Sequence, residues 1–296
     1  VWNMVNLGDK YNYLSRPRRF GKSVLVDTLE SYLEGRKDLF EGLKIMQLEK
    51  DWKQYPVIRL DMSRGGANED TLRSYLNLRF KDYEEKYNIT PDPTAMLADR
   101  FHAIIATAYK QTGLRVAVLI DEYDSPLQHS WRTPEHEKCT GVYREVFAIL
   151  KADDEYEQFI FITGITKFTQ ISLFSVLNNL SNISFMPEYA TICGITEEEI
   201  KENFMPEIKQ MSEANNWSVQ ETHDRLKAYY DGYHFSRRNM VDVYNPYSLV
   251  NALKSKEIIN FWASSGATSL LPKFIDNAEL RLSKFENCSV MRNTLE

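Results

Sequence analysis

Cysteine is scarce and scattered in this 296-residue chain: Cys139, Cys193 and Cys288 stand far apart, with no C-x-x-C pair among them. That excludes a disulfide scaffold and reads as buried or free thiols in a reducing, cytoplasmic setting. Histidine is nearly as sparse, five residues with no H-x-x-x-H or H-E-x-x-H spacing, so zinc chemistry has no support. No apolar run approaches the roughly 18 residues of a membrane span, and no membrane partner is expected. A secretory leader is not expected either, and Val1 in place of Met reads as the loss of a few natural N-terminal residues. Positive charge is in deficit, 36 Lys plus Arg against 42 Asp plus Glu, a net charge of −6. A surface built wholly as a nucleic-acid clamp is thereby disfavoured, although a local basic groove stays open. What is present is ordinary core material: 43% of residues are hydrophobic, and a chain of this size buries roughly 75% of its unfolded surface without a staple.

The order of patterns is strand, loop, helix, repeated. Tyr11 to Ser15 is strand-like, and Leu25, Leu29 and Leu33 recur at the spacing of a helix face, with Gly35 as the stop. Pro56 to Met62 reads as a second strand, followed by helices over Thr71 to Tyr87 and Thr94 to Gln111, the latter closed by Gly113. Val116 to Ile120 is a continuous apolar run, as expected of a strand covered on both faces. A helix over Tyr143 to Ala152 leads to a fourth strand, Phe159 to Ile162, and a short final strand is expected just before Cys193. This alternation predicts an α/β fold with a parallel sheet flanked by helices over residues 1–195. From Thr196, whose Thr-Glu-Glu-Glu run reads as a capping box, the pattern turns helical. A hairpin is expected across Ser236 to Met240 and a further helix near Tyr247 to Leu253. We read residues 196–296 as a smaller, mainly helical C-terminal appendage.

Chemistry concentrates at three strand ends. Gly21-Lys22-Ser23 lies between a strand and a helix, the setting in which backbone N–H groups and a helix N-terminus cradle phosphates. Lys22 would meet the terminal phosphates and the Ser23 hydroxyl would ligate Mg²⁺. In G-x-x-x-x-G-K-[ST] the first glycine position is held here by Arg16, so the candidate loop is Arg16, Pro17, Arg18, Arg19, Phe20, Gly21, Lys22 and Ser23. Asp121 ends the apolar run Val116 to Ile120, where open α/β sheets place ligands. An acid there holds Mg²⁺, and the adjacent Glu122 orients and deprotonates a water. Thr163, ending the fourth strand, is a candidate for the attacking water or the γ-phosphate if that strand lies beside the one bearing Asp121; the alternative is a plain Thr-Gly turn. Lys167 is a further candidate phosphate contact.

The segments Leu14 to Ser23, Leu119 to Asp124 and Thr163 to Phe168 resemble the predicted AAA-ATPase-like family of gut Bacteroidetes and related bacteria. Leu177 to Leu180, Tyr189 to Glu199, Tyr230 to Tyr233 and Tyr244 to Ser248 extend the likeness over nearly the whole chain. The resemblance implies a bacterial P-loop NTPase, a hydrolase with a Walker A lysine and a catalytic glutamate after the Walker B aspartate. It also implies Arg16 as the family's own habit. Relatives often carry a nuclease-like domain of the PD-(D/E)xK type, and none is recognisable here. ATP and Mg²⁺ are therefore the expected cofactors, with Lys22, Glu122 and Thr163 catalytic and Ser23 and Asp121 on the metal. A homo-oligomer, a nuclease-like module and nucleic acid are the partners that the resemblance suggests.

The expected function is Mg-dependent ATP binding and hydrolysis that couples nucleotide state to a partner. The alternative is an ATP-gated scaffold or switch with little turnover. Arg18 and Arg19 read either as phosphate or subunit contacts or as solvated loop residues, and Arg237 and Arg238 either as sensor or finger arginines or as an ordinary turn. Tyr229, Tyr230 and Tyr233 read either as base-stacking rings or as packing aromatics.

Overall fold

The computed structural model describes residues 1–92, 94–165 and 179–261, and the chain divides into two compact units. The first comprises Val1–Cys193 together with Phe235–Met240. The candidate Lys167, the neighbouring Thr166 and Phe168, Leu177 and Asn178, and Cys288 lie outside the described residues.

Five parallel strands form the sheet of the first unit: β1 (Tyr11–Ser15), β2 (Val57–Asp61), β3 (Val116–Asp121), β4 (Glu157–Gly164) and β5 (Ser181–Asn182). Their spatial order is β2-β3-β4-β1-β5. Among the described residues, the helices of this unit are α1 (Trp2–Asn6), α2 (Lys22–Leu33), α3 (Ile45–Leu48), α4 (Glu69–Lys86), α5 (Leu97–Thr112), α6 (Ser125–Ser130) and α7 (Glu135–Ala152).

Both sheet faces are covered, which explains the unalternating strand sequences. Val116, Val118 and Ile120 of β3 and Ile160 and Ile162 of β4 point into one core with Leu72, Phe101 and Val146 of α4, α5 and α7. Ala117, Leu119, Phe159 and Phe161 point into the other, against Val26, Leu29 and Leu33 of α2. The leucine spacing of α2 is thus the stripe that seats it on the sheet. Because all strands run the same way, Ser15, Asp61, Asp121 and Gly164 emerge at one edge, with Asp61 directly opposite Asp121.

Two expectations need correction. The last strand is the two-residue Ser181–Asn182 rather than a segment abutting Cys193, and α7 begins at Glu135, two turns before Tyr143. The polar first turns of α7 hide its start.

The second unit comprises Gly194–His234 and residues from Val241 onward. Its helices Glu197–Asn203, Met205–Asn215, Val219–Tyr230 and Pro246–Ser255 share a core of Ile200, Ile208, Met211, Leu226, Tyr230 and Leu249, among others. Thr196 and Glu199 form the reciprocal capping box. In place of a regular hairpin there are two isolated antiparallel bridges, Tyr233 with Val243 and Ile195 with Tyr244. Tyr230 packs in this core and donates to the Ile259 carbonyl at 2.8 Å, whereas Tyr229 is exposed. Among the described residues no helix is long and apolar enough to cross a membrane.

Candidate functional site

The loop after β1 turns on two left-handed residues, Arg19 at φ 65° and Gly21 at φ 83°. A Cβ on Gly21 would meet nothing within 4 Å, so glycine is favoured there by its dihedral rather than by space. Gly21 is the N-cap of α2, and Lys22 and Ser23 are its first two residues. The first-turn N–H groups of a helix have no acceptor within the helix, which suits an anion at this end of α2. Lys22 is buried, and its Nζ donates to the carbonyls of Arg16 and Pro17, each at 2.9 Å. Burial pulls its pKa down, while Glu122, Asp124 and Asp121 pull it back up. The loop lysine and the acids after β3 are therefore electrostatic neighbours.

Arg16 is the surprise of the loop. The residue is 1% exposed and four of its guanidinium N–H groups donate to protein carbonyls: Ile192 at 3.2 Å, Ser15 at 3.0 Å, Ser184 at 2.7 Å and Tyr189 at 2.7 Å. Desolvation lowers its pKa to about 10. Phe20 is likewise buried and meets Phe235 edge to face. Of the candidate phosphate-loop side chains, Arg16 and Phe20 thus pack within the protein, and the Arg16 main chain is engaged too: its N–H donates to the Gly164 carbonyl at 3.4 Å and its carbonyl accepts from Lys22 Nζ. Arg18 and Ser23 are exposed.

At the end of β3, Asp121 Oδ1 accepts from Thr163 Oγ1 and from the Glu122 backbone N–H at 3.0 Å. Thr163 sits on β4, which pairs directly with β3, and its hydroxyl also receives the Glu122 N–H at 3.3 Å. Glu122 occupies the left-handed region at φ 48°, a strained setting for a side chain with a Cβ. The strain is held by these bonds, by Tyr123 N–H on the Thr163 carbonyl at 2.9 Å and by Ser125 N–H on the Glu122 carbonyl at 2.9 Å. Burial raises the Glu122 pKa, and Asp121, Asp61 and Asp124 add to that while Lys22 opposes it.

Asp124 completes the turn. Its Oδ2 accepts from Gln128 Nε2 at 2.6 Å and from the Ile165 N–H at 2.9 Å, tying the end of β3 to the end of β4. Gly164 is needed here for close approach: a Cβ would stand 2.6 Å from Tyr123 Cε1 and 2.8 Å from Asp124 Oδ1. Gly164→Ala is expected to cost about 1–3 kcal/mol by overpacking. A lowered urea midpoint checks this, and an unchanged one would mean that Tyr123 and Asp124 yield freely.

The structure brings Lys22, Asp121, Glu122 and Thr163 to one sheet edge. Arg237 and Arg238 are exposed residues of the Phe235–Met240 segment, which clusters with the first unit. Asp61, Asp124 and Phe235 were not among the predicted site residues. The first two end strand or turn motifs that carry acids and were findable, whereas nothing local marks Phe235.

Residues 1–174 match the family described as Predicted AAA-ATPase. A curated relative from Azotobacter chroococcum mcd 1, described as an uncharacterized protein in the vnfD 5′ region, is 33% identical over 273 residues. The match covers 90% of this chain and 49% of that protein, so the chain spans about half the length of the curated relative it matches.

Proposed function

Because the chain belongs to the predicted AAA-ATPase family, with its nucleotide-binding theme, we propose that the first unit binds ATP with Mg²⁺ and hydrolyses it. The observation that carries this reading is that the loop bearing the buried Lys22, which follows β1, and the acids Asp121 and Glu122 at the end of β3 share the C-terminal edge of one parallel sheet.

The donor set suits the metal. Asp121 Oδ1 is engaged by Thr163 and Glu122, while its Oδ2 takes no protein partner among the described residues, and the Ser23 hydroxyl is exposed. Among the described residues no group of three or more His, Cys, Asp or Glu side chains forms a metal site by itself. This fits an Mg²⁺ that shares its coordination with nucleotide phosphates and water. Ser23 and Asp121 would hold it, and when bound it would neutralise charge on the phosphate oxygens.

Lys22 exchanges the carbonyls of Arg16 and Pro17 for β- and γ-phosphate oxygens. Glu122, its proton affinity raised by burial and by neighbouring carboxylates, takes the proton of the attacking water. Thr163 fixes the Asp121 carboxylate and the Glu122 backbone, so it orients both acids. In a longer protein, the change of nucleotide state would pass to a partner or further module.

A second reading, an ATP-gated switch with little turnover, is favoured by one feature: Lys22 is bonded to its own loop. Phosphate release and equilibrium ATP binding, each with Mg²⁺ and with a chelator, distinguish the two. Saturable binding with Mg²⁺-dependent release is expected. Binding without release leaves the switch, and the absence of both overturns the nucleotide reading.

A further inference from the structure

We infer that Phe235 is a positioning residue for the phosphate loop, acting through Arg16. This deepens the ATPase reading and rests on it.

In the loop pattern the position of Arg16 usually carries a glycine, which has no side chain to anchor. Here the guanidinium is almost wholly buried and bonds three carbonyls of the segment that follows β5, those of Ser184, Tyr189 and Ile192. The Phe235 ring covers it, with the guanidinium carbon 4.0 Å from the ring centroid. A desolvated cation over an aromatic face is an attractive contact, and Arg is the cation that most often makes it. The same ring meets Phe20 of the loop at 5.5 Å between centroids and 87° between planes. Phe235 therefore touches the loop at two residues, one on each side of the left-handed turn at Arg19.

The loop lysine is linked to the same point. Lys22 Nζ is held by the main-chain carbonyl of Arg16, so a shift of Arg16 displaces the carbonyl that fixes the ammonium. Arg16 is thus the junction between an aromatic clamp and the phosphate-binding cation.

The clamp is held in place rather than lying loosely. The Ser236 hydroxyl accepts from the backbone N–H groups of Arg238 and Asn239, each at 3.2 Å, which shapes the turn. Asn239 Nδ2 donates to the Pro187 carbonyl at 3.1 Å, in the segment that also supplies carbonyls to Arg16. Phe235–Met240 consequently clusters with the first unit, while the chain on either side of it, ending at His234 and resuming at Val241, belongs to the second.

The experiment uses the full chain. Phe235→Leu keeps apolar bulk and loses the aromatic face, Phe235→Tyr keeps the face, and Asn239→Ala cuts the strap without touching Arg16. Three measurements are made: ATP binding with Mg²⁺, thermal unfolding, and amide hydrogen exchange over residues 16–22 without nucleotide. Phe235→Leu is expected to weaken ATP binding about five- to tenfold and to speed loop exchange at a nearly unchanged unfolding midpoint. Phe235→Tyr restores both, and Asn239→Ala gives a smaller change in the same direction. Arg16→Lys combined with Phe235→Leu is expected to bind no worse than the more affected single variant, because the two residues act as one. Loop exchange unchanged in both Phe235→Leu and Asn239→Ala overturns the clamp, whatever the nucleotide result. Additive losses in the double variant overturn the route through Arg16. Faster loop exchange in a chain that binds no ATP sinks the ATPase reading alone.

Discussion

Replacing Glu122 by glutamine is expected to lower Mg²⁺-dependent phosphate release by roughly two orders of magnitude or more, the usual contribution of a positioned general base. ATP should stay bound. Glutamine has the same length, and the bonds that hold this strained turn come from the backbone N–H and carbonyl of residue 122. What is lost is a carboxylate whose proton affinity is raised by burial and by Asp121, Asp61 and Asp124, with Lys22 opposing. The check pairs steady-state phosphate release with equilibrium binding for both proteins. Equal turnover would remove Glu122 from the chemistry, and loss of binding would reassign it to holding the ligand.

The second large effect lies at the opposite edge of the sheet. Glu157 opens β4 with no exposed surface; Tyr11 donates to its Oε2 at 2.7 Å, and Oε1 has no partner among the described residues. Burial pushes its pKa from 4.5 to about 8; the Tyr11 hydrogen bond and Lys10 resist, while Asp153 and Asp154 add to the rise. The folded state therefore binds this proton more tightly than the unfolded chain does. Its contribution to stability is complete below about pH 4.5, falls as pH rises, and is spent above about pH 8. The span corresponds to at most roughly 5 kcal/mol, at 1.36 kcal/mol for each pKa unit. Urea unfolding at pH 5, 7 and 9 should show wild type losing stability relative to Glu157→Gln. Parallel profiles for the two proteins would mean that the carboxyl is already ionised in the fold.

The sequence carried the elements that are fixed locally. The apolar run before Asp121 is legible because a strand covered on both faces has no polar alternation to confuse it, and both of its faces are indeed core. Gly21-Lys22-Ser23 is legible because it opens α2 only a short loop after β1, and Thr196 to Glu199 because a capping box closes within one turn. Contacts made across the chain are not legible. Ser181–Asn182 is a strand only because β1 offers it an edge. Arg16 reads as a loop cation because its carbonyl partners, Ser184, Tyr189 and Ile192, bear no side-chain signature. Phe235 lies in a stretch whose sequence speaks only of a turn.

The placement of Phe235–Met240 limits how the chain can be dissected. A fragment cut after Cys193 would keep the sheet, Lys22, Asp121 and Glu122, yet would uncover one face of a guanidinium that the whole chain keeps dry. Supplying the missing six residues as a separate peptide would not readily mend it, since a detached hexapeptide must first lose its own conformational freedom. Domain swaps that respect the linear order of the sequence would therefore split a mechanical unit, and a chimera should carry residues from both sides of that boundary.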